Sequence, residues 1–325
     1  MKHVLLPDNA NRPLPFYLAM EEWLARNCDD EFFFTWQVDP TVICGRNQVI
    51  DLEVDVDYCR ANNINICRRK SGGGCVFADR KNIMFSYIAK AKTITTQFAD
   101  YTSLIASMLR NLGIEASSTS RNDILIGEKK VSGNAFYHIP EVSRAIVHGT
   151  MLYDLDTGHI SRAITPSRAK LESKGVQSVA SRLTTIKSHS DISLDDFKAF
   201  AIKYMCGDAE MALTPAIVTE IEKLSEELTS GKWIFRKTSG SALVRAARID
   251  GVGEFRVEID LKGTTIRNMN LTGDYFLLSD LDSALLDPLK GVEYSREAIE
   301  SALGAIDVRE IISGLETKEL INLIV

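Results

Sequence analysis

The 325-residue chain lacks most of the features that would set it apart from an ordinary globular protein. Its 20 Gly and 8 Pro are at or below common usage, which excludes collagen-like and low-complexity readings. None of the cysteines (Cys28, Cys44, Cys59, Cys67, Cys75, Cys206) forms a Cys-x-x-Cys pair, and no Cys or His cluster has zinc-ligand spacing. A chain of this size needs no disulfide staples, so buried thiols are expected. No stretch approaches the roughly 18 uncharged apolar residues of a membrane span. Residues 1–11 include Asp8 and have no basic flank leading into an apolar run, so a soluble, cytoplasmic protein is expected. Overall basic excess is missing as well. Against 38 Lys and Arg stand 44 Asp and Glu, a net charge of −6, which does not favour nucleic acid as a partner. No internal repeat is visible.

At roughly 150 residues per domain, the length predicts two domains. Leu14, Leu18 and Leu24, with Phe16, Tyr17, Met20 and Trp23 between them, predict an amphipathic helix over 14–27. Strands are expected at 31–37 and 41–45, a helix at 51–63, and a strand at 64–69 that runs into Ser71-Gly72-Gly73-Gly74. Further on come a strand at 82–89, a helix at 96–112 and strands at 122–126, 129–138 and 143–153. Helices at 194–206 and 214–229 precede a β-rich block at 253–276 and three short helical patterns. Hairpins mixed with helices indicate an α+β architecture rather than a doubly wound parallel sheet. The domain boundary is placed near 240. Residues 241–325 carry 9 basic and 15 acidic residues, leaving 29 of each in residues 1–240. Locally, Arg68, Arg69, Lys70, Arg80 and Lys81 face only Asp79, which reads as a basic rim around the glycine loop.

Three segments carry candidate chemistry. In Arg68-Arg69-Lys70-Ser71-Gly72-Gly73-Gly74-Cys75-Val76-Phe77, glycines let N–H groups turn toward a phosphate, while arginines supply charge-assisted bonds. An ordinary glycine turn with a solvated basic flank has the same composition. It is neither a Gly-x-x-x-x-Gly-Lys-Ser/Thr phosphate loop nor a Gly-x-Gly-x-x-Gly fingerprint. In the second segment, 122–135, a strand would put Lys130 and Ser132 on one face and Lys129 and Val131 on the other. One lysine then points inward, where it would suit an acyl phosphate; two surface lysines on a hairpin are the alternative. The third segment, Val147-His148-Gly149-Thr150, offers His148 either as a catalytic base or as a satisfied core histidine.

In chain order, these segments join Gly45-Arg46-Asn47-Gln48, Asn82, Asn122-Asp123-Ile124, Lys129-Lys130-Val131-Ser132-Gly133-Asn134-Ala135 and Lys174-Gly175-Val176-Gln177-Ser178-Val179 with Ser181-Arg182. Together they resemble the lipoate–protein ligase family. Gly263 to Phe276, ending in Gly273-Asp274-Tyr275-Phe276, with the later Leu289 and Gly291, is similar to the small accessory domain of its full-length members.

The resemblance implies a mixed-sheet biotin/lipoate ligase-like catalytic domain over 1–240 and a small α+β accessory domain over 241–325. It also implies a two-step reaction. Lipoate and ATP-Mg²⁺ give lipoyl-AMP and pyrophosphate, and the lipoyl group then passes to a carrier-domain lysine. The carriers would be the E2 subunits of 2-oxoacid dehydrogenases and the glycine cleavage H protein, and the enzyme a monomer without a tightly bound cofactor. Arg69, Ser71, Gly72, Gly73, Gly74, Cys75, Val76, Phe77 and Asn82 would hold ATP and the adenylate. Lys130 would touch both lipoyl carbonyl and α-phosphate, Asp123 would orient groups or metal near the phosphates, and Ser132, Gly133, His148 and Gly149 would bind lipoate. An apolar tunnel would take the acyl chain, each buried methylene contributing roughly 0.8 kcal/mol. Alternatives are an octanoyl or lipoyl transferase of the same fold working through a Cys75 thioester, and a non-catalytic lipoate-binding protein. A biotin–protein ligase would need a Gly-Arg-Gly-Arg loop, which this chain lacks. Two departures stand out: Ala78-Asp79-Arg80-Lys81-Asn82 replaces the usual His-Asp-x-Gly-Asn, and Trp233 lacks its Gly-x-x-Pro continuation. The polar stretch 236–241 is the expected hinge.

Overall fold

The first helix shows how the local sequence sets an element. Helix α1, Leu14–Asn27, begins after Pro13 with Pro15 in its first turn, where a missing N–H costs no hydrogen bond, and it buries Leu14, Leu18 and Leu24. The coordinates form a computed structural model that describes residues 1–119, 122–155, 157–165, 182–235 and 243–325. Strands follow in chain order: β1 Lys2–Leu5, β2 Phe32–Trp36, β3 Thr41–Cys44, β4 Asn65–Arg68, β5 Val76–Ala78, β6 Ile83–Lys90 and β7 Ala116–Ser118. Then come β8 Asp123–Ile126, β9 Lys129–Ile139, β10 Arg144–Met151, β11 Glu210–Ala212, β12 Leu243–Ile249, β13 Gly253–Lys262 and β14 Thr265–Gly273.

Eight strands make one mixed sheet in the order β11-β1-β2-β6-β10-β9-β8-β7, in which β1 is parallel to both of its neighbours and the remaining pairs are antiparallel. Alternation along the strands serves two cores. Phe32, Phe34 and Trp36 pack toward α1 and the helix Pro215–Thr229, whereas Phe33 joins Phe85, Tyr101 and Phe197 beneath the helices Ile94–Asn111 and Leu194–Cys206. Being covered on both faces, strand β2 is aromatic at every position but Thr35. The α+β expectation holds, with a second three-stranded sheet β4-β3-β5 carrying the glycine loop.

The helix expected over 51–63 is two pieces, Ile50–Glu53 and Val56–Ala61. Val54 is extended and bridges Ile164, and Asp55 restarts the helix by accepting the Tyr58 N–H. From residue 243 onward, the meander β12-β13-β14 packs on the helices Arg296–Leu303 and Thr317–Ile324 around its own core of Val257, Ile259, Leu285 and Leu320. Past β14 the chain returns to the larger body. Gly273 N–H donates to Asn47 O at 2.8 Å, Gly73 N–H donates to Tyr275 O at 3.1 Å, and Phe276 meets Phe98 edge-on at 5.6 Å. The expected boundary near 240 and the hinge at 236–241 lie outside the described residues, as do residues 174–179 and Ser181. Among the described residues, no helix is long and apolar enough to cross a membrane.

Candidate active site

Strand β4 delivers two arginines into the glycine loop, and both turn inward. Arg68, 1% exposed, donates to the carbonyls of Gly45, Arg46, Gln48, Trp233 and Ile234. Arg69 donates to Ile43 O at 3.1 Å, Gly72 O at 2.6 Å and Gly74 O at 2.8 Å, and burial lowers its pKa to about 10. The basic rim inferred from the sequence is therefore not what the chain builds. The arginines are buried clamps, Lys70 pairs with Glu22 at 2.6 Å, and Arg80 pairs with Asp39 at 2.9 Å. The carbonyls of a tight loop need donors, and nearby guanidiniums supply them. Gly73 has φ +86°, a conformation that disfavours a side chain. Lys81, in place of the usual glycine, is accommodated: its φ is not positive, and its N–H caps Asp79 Oδ1 at 2.9 Å. Trp233 is anchored by its indole N–H on Arg68 O at 2.9 Å.

Between this loop and the main sheet lies a cavity of about 460 Å³. It crosses β2, β6, β10, β9 and β8, whose spacing of about 4.8 Å makes the traverse roughly 19 Å. At the β2–β6 side the wall is apolar: Leu18, Trp36, Ile43 and Met84. At the β9–β8 side it is polar, with Asn134, Lys130, Asp123 and Asn122. The glycine loop and β5 contribute Arg69, Gly73, Gly74, Cys75, Val76 and Phe77.

Lys130 Nζ lies 2.7 Å from Asp123 Oδ1. The ammonium lies over Gly133, where an added Cβ would be 2.3 Å from Nζ, so the missing side chain makes its room. As expected, Lys129 is exposed and its neighbour faces the cavity. Ser132 does not follow its predicted face: the β8–β9 register slips at Val131, which drops into the core, and Ser132 is buried outside the cavity lining.

His148 and Gly149 on β10 line the cavity. His148 Nδ1 is 2.8 Å from Glu21 Oε2, and its Nε2 is 2.7 Å from Ser71 Oγ. Ser86 Oγ donates to Glu21 and accepts the Trp36 indole N–H at 2.8 Å. This buried relay ties α1, the sheet and the glycine loop together, and it removes Ser71 from the cavity surface. Gly72 lies against Tyr275 O rather than the cavity, and Asn82 caps the 79–82 turn through Asp79 Oδ1 at 2.8 Å. The structure thus brings together Arg69, Gly73 to Phe77, Asp123, Lys130, Gly133, His148 and Gly149, while Ser71, Gly72, Asn82 and Ser132 stand behind or beside them.

Glu21, Glu53, Asp274 and Phe276 were not picked out from the sequence as site residues. The last two line the cavity from beyond residue 243, and Arg182 and Ile164 help close it. Among the described residues, no three His, Cys, Asp or Glu side chains gather to hold a metal.

Residues 13–206 match the lipoyl protein ligase A/B catalytic domain, and residues 241–324 match the bacterial lipoate protein ligase C-terminus. Lipoate–protein ligase 1 of Staphylococcus aureus is 31% identical over 315 residues, covering 94% of this chain and 95% of its own. A lipoate–protein ligase of Bacillus subtilis is 28% identical over 334 residues, 99% and 100% of the two chains. The fold is shared with P. falciparum LipL1 in complex with lipoate, at TM-score 0.78 and 19% identity over 99% of this chain and 97% of that one. It is shared also with a bipartite lipoate protein ligase of Thermoplasma acidophilum, at TM-score 0.62 and 25% identity over 74% and 98%. The catalytic-domain match spans more than half of the residues and is followed by the C-terminal match, so the chain belongs to the lipoate–protein ligase family in its two-domain form.

Proposed function

We propose that the protein activates lipoate with ATP-Mg²⁺ to lipoyl-AMP and pyrophosphate and then transfers the lipoyl group to a carrier-domain lysine. Residues 1–240 act as the catalytic domain and 241–325 as the accessory domain. The observation that carries this reading is Lys130, an ammonium held by Asp123 at the polar side of a cavity whose other side is apolar. A fatty acyl chain fits the Leu18, Trp36 and Met84 wall, which leaves its carboxylate beside Lys130.

Carboxylate and polyphosphate repel, so the first step needs fixed positive charge and backbone donors. A carboxylate oxygen attacks the α-phosphorus and pyrophosphate leaves; Lys130 faces the negative charge that develops between them. In the second step the carrier amine attacks the acyl carbon, and AMP leaves with the bonding pair. Arg69 acts as a positioning residue, fixing the carbonyls so that the loop N–H groups face the nucleotide. Mg²⁺ enters with ATP as part of the substrate. The carriers are lipoyl domains of 2-oxoacid dehydrogenase E2 subunits and the glycine cleavage H protein. The Thermoplasma ligase, described together with its E2 lipoyl domain, supports this class of partner. The enzyme works as a cytoplasmic monomer.

The Cys75 thioester route finds little support, because the hydrogen bond to Cys44, together with burial, holds the Cys75 thiol well above the usual range. Labelled pyrophosphate incubated with protein, lipoate and ATP-Mg²⁺ tests the proposal. Exchange into ATP that is lost in Lys130→Ala is expected. ATP-independent acyl transfer abolished by Cys75→Ala would overturn it in favour of the thioester route, and tight lipoate binding with neither activity would leave a binding protein.

A further inference from the structure

The glycine loop rests on a pair of thiols that this reaction does not use. Cys44 ends β3 and is fully buried, and Cys75 enters β5 and lines the cavity. These strands are antiparallel, with Val42 opposite Phe77 and Ile43 opposite Val76, so the next step sets Cys44 opposite Cys75. Their sulfurs are 3.4 Å apart, and the Cys75 sulfur is also 3.2 Å from Gln48 Oε1. Opposed residues of such a pair have Cα atoms about 4.5–5.5 Å apart, inside the span of about 4.4–6.8 Å that a disulfide bridges.

The hydrogen bond from Cys75 draws the Cys44 thiol below the usual cysteine range despite its burial, with the Arg68 and Arg69 guanidiniums adding to the effect. Burial pushes the thiols of Cys28, Cys59, Cys67 and Cys206 upward. The Cys75–Cys44 hydrogen bond, with burial, holds the Cys75 thiol well above the usual range, so the pair sets one lowered thiol, Cys44, against one that stays protonated and lines the cavity.

We propose that Cys44 and Cys75 form a reversible oxidation site, in which a peroxide entering the cavity closes a disulfide that disables the loop. Cys44, having released its own proton, takes the Cys75 proton along their hydrogen bond as the Cys75 sulfur attacks one peroxide oxygen; the O–O bond breaks, and the departing hydroxide takes up the proton Cys44 had released to leave as water. The Cys44 sulfur then attacks the sulfenic acid; the S–O bond breaks, and that hydroxide takes the Cys44 proton to leave as a second water. Two thiols and one peroxide become one disulfide and two waters, and a dithiol reductant reverses the change. Cross-linking draws Cys75 off Gln48, whose Oε1 also receives the Gly45 N–H at 2.9 Å, and ties the loop exit to β3. That consequence for activity rests on the ligase reading above.

The test is to expose the reduced full-length chain to hydrogen peroxide, map its cross-links by mass spectrometry and follow ATP–pyrophosphate exchange. A 44–75 linkage is expected, with exchange falling about 10²-fold and returning with dithiothreitol. Cys44→Ser should form no linkage and keep its exchange through the same treatment; Cys44→Ala serves if the serine variant misfolds. Inactivation without a 44–75 linkage overturns the proposal, as does a linkage that leaves exchange unchanged, or equal inactivation of the Cys44 variant. If the reduced chain never exchanges, the ligase reading falls instead, and the cross-link map, which needs no turnover, still decides whether the site exists.

Discussion

Arg68-Arg69 and Lys129-Lys130 are two pairs of adjacent cations, each with one member lining the same cavity, and their environments give them different roles. The arginines are surrounded by carbonyls, which absorb their donors and turn the pair into scaffold. The lysines sit at a hairpin where strand alternation sends one into the cavity, above a glycine and beside a carboxylate, and leaves the other in solvent. Charge of one sign is thus not a guide to anion binding. What decides is whether loop carbonyls lie within reach to accept the donors before a ligand arrives.

The comparison breaks most sharply at Lys130. Lys130→Ala should lower ATP–pyrophosphate exchange by about 10²–10³-fold while leaving the melting temperature close to that of the parent; a large loss of stability with little loss of exchange would reverse the two roles. Arg68→Met should do the opposite, destabilising the fold by about 3 kcal/mol because five carbonyls lose their donors, as a denaturant titration would show. Gly133→Ala probes the room given to the ammonium: its Cβ would be 2.3 Å from Lys130 Nζ, and exchange should fall about tenfold with stability little changed. Lys129→Ala sets the baseline, with stability within about 0.5 kcal/mol of the parent and exchange unaffected.

Elements with a strong period were legible in the sequence. Helix α1 has the expected bounds, and the three strands from 123 to 151 were marked by turn residues and alternation. Short strands were legible only in part: Thr41–Cys44 and Asn65–Arg68 lie where expected, whereas Lys2–Leu5, Val76–Ala78, Ala116–Ser118 and Glu210–Ala212 were not marked. Lys2–Leu5 gains its identity only by lying between Phe32–Trp36 and Glu210–Ala212, partners that no local pattern announces. The same holds within the site. The lysine pair and the glycine loop stood out as local composition, yet Glu21 reads as a helix-surface carboxylate beside Glu22 until His148 and Ser86 are set opposite it by the sheet. The arginines misled for a related reason: their acceptors come from 45–48 and 233–234, too distant in sequence to be weighed.

The bond from Gly73 N–H to Tyr275 O, with Phe276 seated against Phe98, also has a meaning in time. A ribosome releases residues 68–77 long before residues 273–276. Synthesis of the roughly 200 intervening residues, at about 5–20 residues per second, occupies some 10–40 s. Throughout that interval the nascent loop has no Tyr275 carbonyl to meet, and Phe98 faces a gap that one distant aromatic will fill. The glycine loop begun in the first quarter of the polypeptide is finished by its last.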